Sequence, residues 1–171
     1  MKRIAVAWIL LCCAPVLAGG PPWRQATTAE LRKIIPARAP VGKDRIETEF
    51  RVVSGITDGR RFIAGVLMIT AGYGEAEGKY SHFFITQVPL RIGEMLLQPG
   101  EYVFGYMRVD DNSQEVKFYE AANGRMLGIV QAKLDNRRTG VRSFYISPAA
   151  YGSGKGFMQF GRFVFEYKLS Q

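Results

Sequence analysis

Cysteine is almost missing from this chain: there are two, Cys12 and Cys13, and both fall within the first eighteen residues. From Gly19 onward there is no thiol, which excludes a disulfide framework, a cysteine-ligated metal site and a thiol nucleophile for that part. Histidine is scarcer. His82 stands alone, so a histidine-rich metal centre is excluded, and a catalytic base would need an orienting partner of another type. Beyond the N-terminus no apolar run approaches the roughly 20 residues of a membrane-spanning helix, and there is neither an internal repeat nor a low-complexity segment. No cofactor, no metal and no transmembrane helix are expected.

Aromatic residues are plentiful: eleven Phe, eight Tyr and two Trp. All but Trp8 follow residue 18, which gives a cysteine-free domain the large apolar areas it needs for a core. Residues 1–18 read as a cleaved signal peptide, with Lys2 and Arg3 before the apolar run Ile4 to Leu11, and Val16-Leu17-Ala18 at the cleavage site. A lipoprotein signal fits poorly, because Leu11 precedes Cys12 and Cys12 precedes Cys13 where a small residue is wanted. Removing Lys2 and Arg3 lowers the formal charge from +8 to +6. An exported basic chain meets an envelope protein, a glycan or an anionic surface first, so no nucleic-acid partner is expected.

The most informative stretch runs from Leu96 to Leu134. Gln98-Pro99-Gly100-Glu101 predicts a type II turn, since Pro presets φ and Gly accepts a positive one. Tyr102, Phe104 and Tyr106 then alternate with Val103 and Met107 as a strand, in which Gly105 marks a bulge or a close approach. The polar run Asp110-Asp111-Asn112-Ser113 turns the chain into a second strand, Glu115 to Ala121. Asn123-Gly124 predicts a two-residue type I′ hairpin, whose register pairs Phe118 with Ile129 and Tyr119 with Gly128.

Leu97-Gln98-Pro99-Gly100-Glu101-Tyr102, followed by a strand and a hairpin, resembles the L-x-P-G-x-Y turn of small secreted β-sandwich modules of the carboxypeptidase-regulatory and transthyretin-like kind. It is similar also to several secreted bacterial families of unassigned function. The resemblance covers about 40 residues of the 171. It implies a sandwich with a binding or structural role, and it carries over no catalytic residue.

Elsewhere the pattern is also of strands. Thr27-Thr28-Ala29-Glu30 forms a capping box that opens a short helix carrying Leu31, Ile34 and Ile35, which Pro36 stops. Pro36 to Pro40 reads as a stiff connector. Arg45 to Val53 alternates as a half-buried strand, and Phe62 to Thr70 is apolar on both faces, which predicts a centrally placed strand. Further strands are expected at Tyr80 to Val88, Leu127 to Leu134, Val141 to Ser147 and Arg162 to Leu169.

Several chemical signatures fail on inspection. Glu47 and Glu49 have a glycosidase-like separation, but Arg45 and Arg51 flank them as a surface charge ladder. Asp110-Asn112-Gln114 lacks the glycine and the closing glutamate of a calcium loop. Gly152-Ser153-Gly154-Lys155-Gly156 lacks the Ser/Thr and the following helix of a phosphate loop.

The expected fold is all-β: a single antiparallel β-sandwich, or alternatively a small β-barrel, of eight to nine strands with a short N-terminal helix. Residues 1–18 are the leader, 19–44 a lead-in with helix and connector, and 45–171 the β-domain. The expected function is non-catalytic binding of a protein, glycan or envelope component, the alternative being a lipocalin-like carrier of a small apolar ligand. Candidate ligand-contacting residues are Tyr102, Tyr106 and Tyr119, with Arg137, Arg138 and Arg142, whose guanidiniums suit phosphate or carboxylate.

Overall fold

The computed structural model describes residues 22–136 and 140–170. The expected leader and the candidates Arg137 and Arg138 lie outside the described residues. Thirteen strands, β1 to β13, follow one another in the order Arg24–Gln25, Arg38–Val41, Asp44–Thr57, Phe62–Met68, His82–Thr86, Leu90–Ile92, Met95–Leu97, Gly100–Arg108, Ser113–Glu120, Met126–Leu134, Arg142–Ile146, Lys155–Gly161 and Phe163–Leu169. One short helix, α1 (Thr28–Leu31), lies between the first two.

The all-β antiparallel class is as expected; thirteen strands among the described residues exceed the expected eight to nine. The additional ones are β1, β2, β6 and β7, each of two to four residues. Pairing is antiparallel throughout, in the order β1-β3-β4-β5-β8-β9-β10-β13-β12-β11, with β2 added to β3 and the β6–β7 hairpin added to β13. This sheet curls into a half-barrel, bringing β11 against β3 and β4. At that seam the Ile146 amide donates to Ser54 Oγ at 2.9 Å.

Period-2 alternation builds two apolar layers. The inner one holds Phe84, Phe104, Phe118, Phe144, Phe160 and Phe165 with their aliphatic neighbours. The rings meet mostly tilted or edge to face at centroid distances of 5.1 to 6.5 Å, the geometry their quadrupoles favour. Outside β4, β5 and β8 lies the second layer, where Leu31, Ile35, Val41 and Ile46 cover Val66, Phe83 and Val103. Being covered on both sides is what the doubly apolar pattern of β4 requires.

The capping box forms as expected. The Thr27 amide donates to the Glu30 carboxylate at 2.8 Å, and the Glu30 amide donates to Thr27 Oγ1 at 3.3 Å. The helix is shorter than Ile35, however, and continues as turns that still bury Ile35. The expected connector is partly a strand: β2 takes Pro40 into register opposite Arg45. A proline without an amide to donate is accommodated because β2 is an edge.

Two turn readings need correction. Gly100 is not among the positive-φ glycines and already sits in β8 opposite Thr86, so the type II geometry is absent. The hairpin tip at Asn123-Gly124 does join adjacent strands, but only Gly124 has positive φ (68°). Asn123 instead uses its side chain, accepting from the Arg125 amide at 2.8 Å and donating to Glu120 at 2.7 Å. The Glu120 amide bonds the Arg125 carbonyl across a four-residue loop, which shifts the register. Phe118 pairs with Gly128 and Lys117 with Ile129, with an irregularity between Met126 and Gly128.

Candidate functional site

Tyr102 and Tyr119 are buried, at 7% and 8% exposure, while Tyr106 stays 45% exposed. Tyr102 faces the inner layer. Its hydroxyl donates to the Gln98 carbonyl at 2.6 Å, and its ring lies 3.4 to 3.6 Å from where a Cβ on Gly100 would stand. The tyrosine thus pins the bend at Pro99 between β7 and β8, as in the tyrosine corners of β-sandwiches. Tyr102 is a structural residue, contrary to its expected place on a ligand surface. Tyr102→Phe should therefore lower stability by about 1 kcal/mol, read from the urea midpoint, with the sheet's circular dichroism unchanged; an unaltered midpoint would contradict the pinning role.

Tyr119 faces outward but is covered. The Tyr80 ring meets it at 5.1 Å, and Lys79 Nζ lies 5.0 Å from its centroid and 5.1 Å from that of Tyr80. Contact with Tyr80 holds the Lys79 ammonium above its usual pKa, so it stays charged. The segment carrying Lys79 can lie on the sheet because of Gly105: a Cβ there would overlap the Lys79 carbonyl oxygen. Of the two expectations for Gly105 it is the close approach that holds, since the β8–β9 register runs through it without a bulge, Gly105 opposite Lys117.

Between that segment and β8–β9 is a cleft of about 440 Å³ lined by Gly78, Lys79, Gly105, Met107, Lys117 and Tyr119, with Tyr106 and Glu77 at its margin. Met107 is 57% exposed. Tyr106 also stacks on Phe160 at 4.6 Å. Of the three tyrosines, the structure brings the ring of Tyr119 to this cleft, whereas Tyr106, opposite Val116, turns its ring to the inner face with Tyr102 and only borders the cleft along the strand. Arg142 stands elsewhere, its guanidinium 4.4 Å over the Tyr145 ring. Lys79 and Lys117 were missed in the sequence, where neither belongs to a motif; the signal that could have found them is Gly105 itself.

The residues considered for chemistry are otherwise engaged. Glu47 pairs with Arg38 at 2.9 Å and Glu49 with Arg51 at 2.7 Å, and the Arg51 guanidinium holds the Glu49 carboxyl down at about 2. His82 is fully buried, stacked on Phe104 at 4.8 Å and packed on Phe144 at 4.8 Å. Ser81 Oγ lies 2.9 Å from its Nδ1 and 3.2 Å from the Phe104 carbonyl. Both contacts are satisfied when the hydroxyl donates to the carbonyl and accepts from Nδ1–H, which leaves Nε2 as a bare lone pair without a partner. Burial pushes this imidazole down to about 3. Among the described residues no group of His, Asp or Glu could hold a metal ion, and no helix is long and apolar enough to cross a membrane.

Compared with protein-family models, with curated proteins and with solved structures, the chain matches none.

Proposed function

We propose that the chain is an exported, non-catalytic β-sheet protein that binds a component of the cell envelope, whether protein, glycan or anionic surface, through the cleft between the Lys79 segment and β8–β9. The observation that carries this reading is the approach at Gly105, which sets two lysines, an exposed methionine and the Tyr119 ring around one concavity. Cations beside aromatic faces recognise anionic groups carried on flat or apolar bodies. Export rests on the leader-like sequence of residues 1–18. A non-catalytic role is supported by the engagement of Glu47, Glu49 and His82 in structural contacts. The carrier alternative has less support, because six phenylalanine rings occupy the inside of the curl.

Retention of material from an envelope extract, fractionated into protein, glycan and lipid, tests the proposal. The unaltered chain should retain one fraction that Lys79→Gln/Lys117→Gln releases. Retention of nothing, or of the same material by both, would overturn it.

A further inference from the structure

β11 ends the strand order of the sheet, and among the described residues it is laddered on one side only, to β12. That ladder is interrupted. Arg142 stands opposite Gly161 and Tyr145 opposite Gln159, so Ser143 and Phe144 together face Phe160 alone. Two residues against one is the count of a bulge, where a strand bends. Past the bulge the Ser147 amide donates to the Phe157 carbonyl at 2.9 Å, so the Ile146 amide points away from β12, toward Ser54 Oγ of β3.

The ring of Phe144 seats this bulge. It lies on Gly65 of β4, where a Cβ would stand 2.7 Å from its Cε1, so it needs bare backbone beneath it. From there it covers His82 at 4.8 Å, with Phe104 of β8 stacked on the same imidazole at 4.8 Å. β4 and β8, the neighbours of β5, are each laddered to two strands. The cover that β11 contributes is therefore the one that can lift without parting β5 from either neighbour. An imidazolium at this place has to donate from both nitrogens. Ser81 Oγ accepts at Nδ1, while Nε2 has no partner. β4 presents only Gly65 and Leu67 here. β8 presents Tyr106, its ring 6.2 Å away, and at the end of the strand Arg108, which holds Asp111; β11 presents Arg142, laid over Tyr145. No carboxylate faces the imidazole from these elements, and its burial pushes it down to about 3.

We propose that β11 is an acid-released latch: a proton taken from solvent by His82 Nε2 lifts Phe144 off Gly65, and the curl opens along the β11 seam while the ladders from β3 to β10 stay paired. Water entering the gap is the acceptor that Nε2–H lacks in the closed form. The open form is the minority one above pH 4.5, and it gives solvent a way to the inner layer. Because the closed form holds the imidazole far below its ordinary 6.5 and the open form releases it, opening takes up a proton. Its equilibrium constant therefore grows about tenfold for each pH unit below 6.5. These observations are independent of the β8–β9 cleft.

Amide hydrogen exchange of the full chain tests the latch, read at Ile146 and corrected for the intrinsic pH dependence of exchange. From pH 6.5 to pH 4.5 the opening constant at Ile146 should rise about 100-fold. At each pH it should exceed by about tenfold or more the constant of the β9 amides, which open only with the whole domain. His82→Phe should flatten the rise. Phe144→Ala, which removes the cover, should bring the His82 titration, followed by its ring-proton shifts, up from about 3 toward 6.5. Equal opening constants at Ile146 and in β9, a flat response at Ile146, the same rise in His82→Phe, or an unmoved His82 titration in Phe144→Ala would each overturn the proposal.

Discussion

Phe104→Ala is expected to cost about 3 to 5 kcal/mol, enough to remove much of the stability of a domain this size. The ring is fully buried in β8 and contacts His82 of β5 at 4.8 Å, Phe118 of β9 at 5.1 Å and Phe144 of β11 at 5.9 Å. It therefore joins strands adjacent in the sheet to one brought near only by the curl. Its neighbours are themselves locked against each other, so the cavity cannot close by small rotations. Equilibrium urea unfolding measures the loss. Ile129→Ala, at a side chain 44% exposed on the outer face, should change stability by no more than about 0.5 kcal/mol. Equal losses at the two positions would contradict the assignment of inner and outer faces.

The second large effect is acid sensitivity through His82. In the unfolded chain this imidazole titrates near 6.5, and in the folded protein only at about 3, because burial disfavours its cation. Between those two values the unfolded state holds the extra proton, so stability rises with pH and falls as pH is lowered. The penalty is absent above pH 6.5 and grows by about 1.4 kcal/mol per unit below it, reaching about 3 kcal/mol near pH 4.5. His82→Phe keeps a ring between Phe104 and Phe144 and leaves the Ser81 hydroxyl on its carbonyl. Urea midpoints from pH 7 to pH 4.5 should therefore fall more steeply in the unaltered chain than in the variant. Parallel curves would mean that His82 is protonated in the folded state.

Much of this molecule can be read from its sequence, and the errors have local physical causes. The doubly apolar Phe62 to Thr70 gave β4 its place between two layers, and the period of Phe163, Phe165 and Tyr167 gave β13 its inner face. Short strands escaped: two to four residues, as in β1, β2, β6 and β7, are too few to display a period. At Asn123-Gly124 the reversal was legible and its register was not. Asn123 met its hydrogen-bonding needs through its side chain while keeping negative φ, and the longer loop moved Ile129 from the inner to the outer face.

The candidate site was legible in part, for a different reason. Alternation tells which tyrosines share a face, but not which face another segment covers. Tyr102 went inward to pin a corner, and Tyr119 went outward beneath Tyr80, a residue thirty-nine positions earlier in the chain. Only Gly105 hinted at that cover.

Amide chemical-shift mapping of the isotope-labelled chain, titrated with the envelope fraction it retains, would show most directly whether ligand is held outside the curl. The expected result is movement at Lys79, Gly105, Met107 and Lys117, with the inner layer undisturbed. Shifts centred instead on Phe84, Phe118 and Phe165 would place the ligand within the sheet and contradict binding at the outer face.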